Sequence, residues 1–350
     1  MRILLASLAL GLVLAAQSFA GVIHESKSTV KFKGLGQYTT HDIIYIQGLK
    51  QYKESSGNFE AQGMMGQMMS GLLFGPKSNA EITDLQAMKI FELFKEKKQY
   101  RELPIEKMRF DEETGRENEE QENAAGNEVN EQKNPVKITR QELRVVPTHK
   151  QKVIHGFPCR EYHVFWITEW VNTETGEKGK DSLFTDVWAT KKTAAIEKGI
   201  EEEAQFHEAY FKKVGLDVDM NARSILGMNW IKMFRSMRHA TKGEEQWKGA
   251  QWAKEMRKID GFPVLIDGKF FVSVSGKKGR GNQTGAPGMN MDNPAAILNQ
   301  MFKGGMKQQM KPKAAKNEPA FAYHTELIRI EVKSIGAEKF KVPAGYQKIN

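Results

Sequence analysis

A period-two alternation of apolar and polar side chains recurs along most of this chain, and it commits the chain to antiparallel sheet. Successive residues of a strand point to opposite faces, so a half-buried strand reads as alternation. Ser28-Thr29-Val30-Lys31-Phe32 reads this way, as do residues 137–146, 159–167, 183–189, 262–274 and 321–334. Residues 22–55, punctuated by Gly34, Gly36 and Gly48, predict a meander of hairpins. Residues 82–85 and 89–94 predict two more strands about a turn, with a short helix over 84–97 as the competing reading. A hairpin turn is expected over 172–179, where Thr175-Gly176 and Lys178-Gly179 separate alternating runs. Asp267-Gly268 is the residue pair that a two-residue hairpin turn favours, and it predicts another hairpin there. Ile154-His155-Gly156-Phe157-Pro158 and Ile259-Asp260-Gly261-Phe262-Pro263 echo each other, each reading as a turn that delivers an aromatic ring to the core.

The middle of the chain changes period. Ile196, Ile200, Ala204, His207, Phe211 and Val214 fall near one face of a helix, with Glu201, Glu202 and Glu203 mostly opposite. Asn221 can cap a second helix whose apolar stripe is Leu226, Trp230, Met233, Phe234 and Met237. A third segment, 244–259, places Trp247, Trp252 and Met256 less regularly. Long runs of strand with a central block of helix define an α+β class.

Three stretches carry neither period. Residues 57–79 are rich in Gly and Met, 111–134 are acidic, and 275–319 are rich in Gly, Lys, Met and Pro. The acidic stretch has nine Asp or Glu against Arg116 and Lys133 and cannot bury enough apolar surface to offset its chain entropy. All three read as low-order inserts in a single domain spanning 21–350. Residues 1–20 read as a cleavable signal peptide: Arg2, an apolar run from Ile3 to Ala16, then small residues at Ser18 and Ala20. The run is short for a membrane span, and the remaining chain has no stretch of that length. A periplasmic or secreted location, with cleavage after Ala20, follows as the expectation.

Losing Arg2 with the leader takes the formal charge from +9 to +8, and the basic residues are dispersed, which fits a solvated surface better than a nucleic-acid-binding one. One cysteine, Cys159, excludes an internal disulfide; with Phe157, Tyr162 and Val164 around it, it reads as a buried thiol. The eight histidines show no HxH, HExxH or i,i+4 pair, so zinc catalysis has no motif behind it. His149 and His155 flank one hairpin and are the pair best placed to approach each other. Cys159 and His163 share a strand face but lie about 13 Å apart along it, beyond reach of each other for nucleophilic catalysis. Gly276-Lys277-Lys278-Gly279-Arg280-Gly281 lacks the order of a phosphate loop and reads as a flexible basic loop. Met64, Met65, Met68 and Met69, with a second group at Met289, Met291, Met301, Met306 and Met310, present thioethers suited to Cu(I); equally, Met fills irregular apolar surface.

Taken in order, Tyr45 to Lys50, Ile82 to Leu85, Lys98 to Tyr100, Ile154 to Tyr162, Val187 to Thr190, Gly261 to Val264 and Val342 to Tyr346 resemble an uncharacterised family of exported bacterial proteins, the domain of unknown function 4412 type. That family is similar in layout to LolA-like lipoprotein carriers. The resemblance implies a curved antiparallel sheet, an incomplete barrel, with helices over one face and an apolar pocket between them. It implies no catalytic residue and no cofactor. The expected function is a non-enzymatic binder of a hydrophobic or lipid-like ligand or an envelope partner, with Leu226, Trp230, Met233, Phe234 and Met237 lining the pocket. The alternatives are copper handling through Met64, Met65, Met68 and Met69, and a structural or interaction role in the envelope.

Overall fold

The computed structural model describes residues 21–63, 66–67, 79–107, 136–215, 254–275 and 318–349. Its frame is one open, twelve-stranded sheet in the order β12-β6-β5-β4-β3-β2-β1-β11-β10-β9-β8-β7. The strands are β1 (Gly21–Phe32), β2 (Gly36–Gln47), β3 (Lys50–Ala61), β4 (Ala80–Asp84), β5 (Lys89–Phe94), β6 (Gln99–Pro104), β7 (Val136–Ile154), β8 (Phe157–Asn172), β9 (Lys178–Thr190), β10 (Phe262–Ser275), β11 (Phe321–Lys333) and β12 (Gln347–Ile349). Two meanders, β1–β6 and β7–β11, are joined by antiparallel pairing of β1 with β11. Only β12, along β6, is parallel. A twenty-residue helix, α1 (Ala194–Lys213), follows β9. The architecture is thus α+β, an incomplete barrel as expected.

The sheet is covered differently on its two faces. Val22 and Ile330 lie against Gly199 of α1, close enough that any side chain at position 199 would collide with Ile330. His24 Nδ1 and Glu203 Oε1, 2.9 Å apart, tie the helix to β1. Farther along, Phe206 and Val214 join Ile46, Leu85 and Ile105 in one buried cluster. Ile23, which points the other way from Val22, packs with Tyr52, Ile82, Ile335 and Phe340. So α1 covers one face, and the C-terminal segment covers the other over β1–β6. There Lys339 stands over the rings of Tyr45 and Tyr52, 4.3 and 3.9 Å from their centroids. The largest cluster, around Tyr162, Trp166, Leu183, Ile266, Phe270 and Phe321, belongs to β7–β11.

Four expectations change. Asp267-Gly268 makes no hairpin: β10 runs straight through it, Gly268 pairing with Thr185 and Tyr323. The ring of Tyr323 occupies the space a side chain at 268 would need, so glycine is required by close approach and not by a turn. Trp170 over Gly179 and Tyr38 over Gly57 repeat the device. The helix face is rotated: Ile196, Gly199, Phe206 and Val214 are buried, while Ala204 is exposed, because Gly199 is the residue small enough to meet β11. The strand expected over 137–146 is longer: β7 runs on to Ile154, with an irregularity between Pro147 and Gln151. And β3 continues through Ala61, into the stretch expected to be insert. The strand pair over 82–94 and the turn after Asn172 form as expected; Asn172 Oδ1 accepts from the backbone N–H groups of Glu174 and Thr175 at 2.9 and 3.0 Å. The stripe Leu226, Trp230, Met233, Phe234 and Met237, both methionine groups, the leader and the acidic stretch lie outside the described residues.

The two Gly-Phe-Pro motifs enter the strands that flank β9. Cys159 and Phe262 both pair with Thr190 from opposite sides. His155 and Gly156 form the two-residue β7–β8 turn, at φ 47° and 85°, and Gly261 takes φ 118° against the Thr190 carbonyl.

Candidate functional site

Strand register places three successive cross-strand rows on the face opposite α1. Every second residue of a strand shares a face, so the rows follow directly from pairing. The first is Arg144–Phe165–Phe184–Lys269–Ala322–Lys31. Two residues along lies Val146–His163–Asp186–Asp267–His324–Thr29. Beyond it lies Glu161–Trp188–Leu265–Glu326–Lys27.

The first row is apolar in the middle and cationic at its ends. Phe165 and Phe184 meet edge to face at 5.6 Å, and Phe271 continues the contact at 5.7 Å from Phe184. Phe184 remains 39% exposed, which is unusual for a ring in mid-sheet. The Arg144 guanidinium lies 5.1 Å from the Phe165 ring centroid.

The second row is built from two histidine–aspartate pairs back to back. His163 Nδ1 is 2.6 Å from Asp186 Oδ1, and His324 Nδ1 is 3.2 Å from Asp267 Oδ2. Asp186 and Asp267 are direct cross-strand neighbours, a placement that costs energy between like charges unless each is offset.

The third row supplies more acid. Thr148 Oγ1 donates to Glu161 Oε2 at 2.7 Å, and Lys150 Nζ is 3.3 Å from the same oxygen. Burial alone would raise the Glu161 carboxyl; hydrogen bonds from Thr148 and Lys150 outweigh it and hold the group below the usual carboxylate range. Lys152 Nζ covers the Trp188 ring at 4.1 Å. His155 Nε2, at the β7–β8 turn, reaches Glu326 Oε2 on β11 at 2.8 Å. Strands lie about 4.8 Å apart, so a contact three strands away requires the hairpin tip to fold over this face. Next to the row, at the β7 irregularity where His149 takes φ 63°, Pro147, His149, Gln151, Arg160, Glu161, Tyr162 and Lys258 line an open groove of about 430 Å³.

His149 and His155 are not brought together as a pair. Among the described residues, the metal-ligating side chains whose donor atoms converge within 4.8 Å are Glu161, His163 and Asp186. Cys159 is buried and free, its Sγ 3.2 Å from the Phe157 carbonyl, while His163 is turned to Asp186. Burial pushes its thiol up to about 11, with Lys152 opposing, so it is a poor nucleophile near neutrality. Reading histidines by sequence spacing missed the convergence, because the partners come from different strands. The signal that marks it is a charged residue on the period-two positions of adjacent strands: Glu161 and His163, Asp186, Asp267, then His324 and Glu326. Compared with known proteins, the chain matches no family model, no curated protein and no solved structure.

Proposed function

We propose that this is an exported binding protein, not an enzyme, which holds an amphipathic ligand with an acyl chain and an anionic head group. The observation that carries the reading is the aromatic row Phe165–Phe184–Phe271, exposed at Phe184, with Arg144 at one end and Lys269 beside it. Aromatic rings in open sheet offer apolar area at little entropy cost, and a guanidinium already stacked on a ring pairs with carboxylate or phosphate in two-pronged geometry. Lys31, two strands from Lys269, adds a second cation on the same row. This puts the ligand on the face away from α1, whereas the stripe Leu226, Trp230, Met233, Phe234 and Met237 expected to line a pocket lies outside the described residues. Acyl burial supplies affinity; the cations select the head group.

Native mass spectrometry of the protein purified from its own cell envelope tests the reading, with palmitate as the defined probe. A stoichiometric lipid adduct, lost in Phe184→Ala and weakened by Lys269→Ala, is the expected result. Removing one ring costs about tenfold in affinity if it contributes about 1.4 kcal/mol. A clean mass after exposure to envelope lipids and to palmitate overturns it.

A further inference from the structure

We propose that Glu161, His163 and Asp186 form a binding site for a divalent transition-metal ion. The proposal is independent of the ligand reading, since it rests on the neighbouring rows. Glu161 and His163 are two apart on β8 and project to one side; Asp186 is the cross-strand partner of His163 on β9. Three donors from two adjacent strands make a triangle over the sheet, the arrangement a facial site needs. Their donor atoms lie within 4.8 Å of one another. Bonds of about 2.0–2.2 Å to zinc set ligand atoms roughly 3 Å apart, so small side-chain rotations close the triangle.

The surroundings favour a cation. Asp267 stands opposite Asp186 and adds a third carboxylate to the same patch. Glu161 is buried, its side chain 8% exposed, and its hydrogen bonds from Thr148 and Lys150 both fall on Oε2. His163 and Asp186 keep 34% and 47% of their side-chain area open, which leaves room on the solvent side for water or an exogenous ligand. One imidazole and two carboxylates suit zinc, manganese or iron(II) better than Cu(I), so the site differs in chemistry from the methionine groups. His163 Nδ1 and Asp186 Oδ1, 2.6 Å apart, already converge on one point above the sheet. Lys150 competes with the ion, because its ammonium neutralises Glu161.

The test is a titration of the tag-free protein with Zn2+ alone, followed by competition with a chromophoric chelator. One saturable site is expected. His163→Ala and Asp186→Asn each weaken it at least tenfold. Lys150→Ala tightens it several-fold, a change that a merely structural histidine–aspartate pair does not produce. His163 is half-open, so His163→Ala keeps its fold; unchanged circular dichroism and melting verify that. Absence of a saturable site, or full affinity in His163→Ala, overturns the assignment.

Discussion

Gly268→Ala is the substitution that most directly tests how this sheet is built. A methyl at 268 would overlap the Tyr323 ring at Cζ, Cε1 and the hydroxyl. The ring cannot swing aside freely: Tyr323 is 3% exposed, and its hydroxyl lies 3.0 Å from Thr185 Oγ1 in the interior. Overpacking of this kind costs about 1–3 kcal/mol. Breaking the buried Tyr323–Thr185 bond adds about 1–3 kcal/mol. Alanine returns about 0.5–1 kcal/mol over glycine in a strand, leaving a net loss of about 1–5 kcal/mol. Urea titration at constant slope measures it. The decisive comparison is the same substitution in a Tyr323→Leu background, where the ring is gone. There Gly268→Ala is expected to cost less than about 0.5 kcal/mol, giving a large coupling energy between the two positions. An equal cost in both backgrounds would refute the reasoning: it would mean that the penalty comes from a left-handed turn at Gly268, as the Asp-Gly pair predicts, and not from Tyr323.

Burial lowers the His207 imidazole below its ordinary value, helped by Lys53 and opposed by Glu203. The unfolded chain therefore takes up more protons on acidification, so stability is complete above about pH 6.5 and falls as pH drops through that value. His207→Phe, which keeps a ring beside Phe206 and Phe211, should flatten the loss between pH 7.5 and 5.5 in urea titrations. Cys159, with its thiol pushed up to about 11, should resist a disulfide reagent at pH 8 until denaturant is added; rapid labelling of the folded protein would contradict its burial. Thr193 caps α1, its side chain accepting from the Ile196 N–H at 3.3 Å, and Thr193→Ala should cost about 1 kcal/mol in thermal melts.

Local alternation was enough to find most strands of the described chain; β6 and β12, whose burial does not alternate, were not read from it. What local pattern cannot see is who lies beside whom. Asp267-Gly268 failed for that reason: the pair has turn chemistry, but Tyr323, more than fifty positions later, decides that the glycine stays in a strand. The same holds for α1. Helical spacing alone favours Ile200 and Ala204, yet the face that packs is the one carrying Gly199, since only there can the backbone approach Ile330. The site follows suit. His163 and His324 stand 161 positions apart in sequence, and nothing near either of them hints that β9 and β10 bring Asp186 and Asp267 between them. Cys159 was legible because its own strand neighbours sufficed.

The two proposed sites share one surface, and that has a thermodynamic consequence. Rows one step apart on a face are separated by about 6.6–7 Å, less than the screening length of about 8 Å at physiological ionic strength. Phe165 follows His163 by two residues on β8, and the rings of the two are 6.1 Å apart. A divalent ion held by Glu161, His163 and Asp186 offsets the charge of two carboxylates beside the place where an anionic head group would sit between Arg144 and Lys269. Each site must then favour the other, and by linkage the factor is the same in both directions. The expected outcome is a several-fold gain in palmitate affinity on adding Zn2+, abolished by Asp186→Asn and diminished by salt. Ligand affinity indifferent to zinc in a protein that binds both would show that the head group lies elsewhere, off the row that Arg144 and Lys269 define.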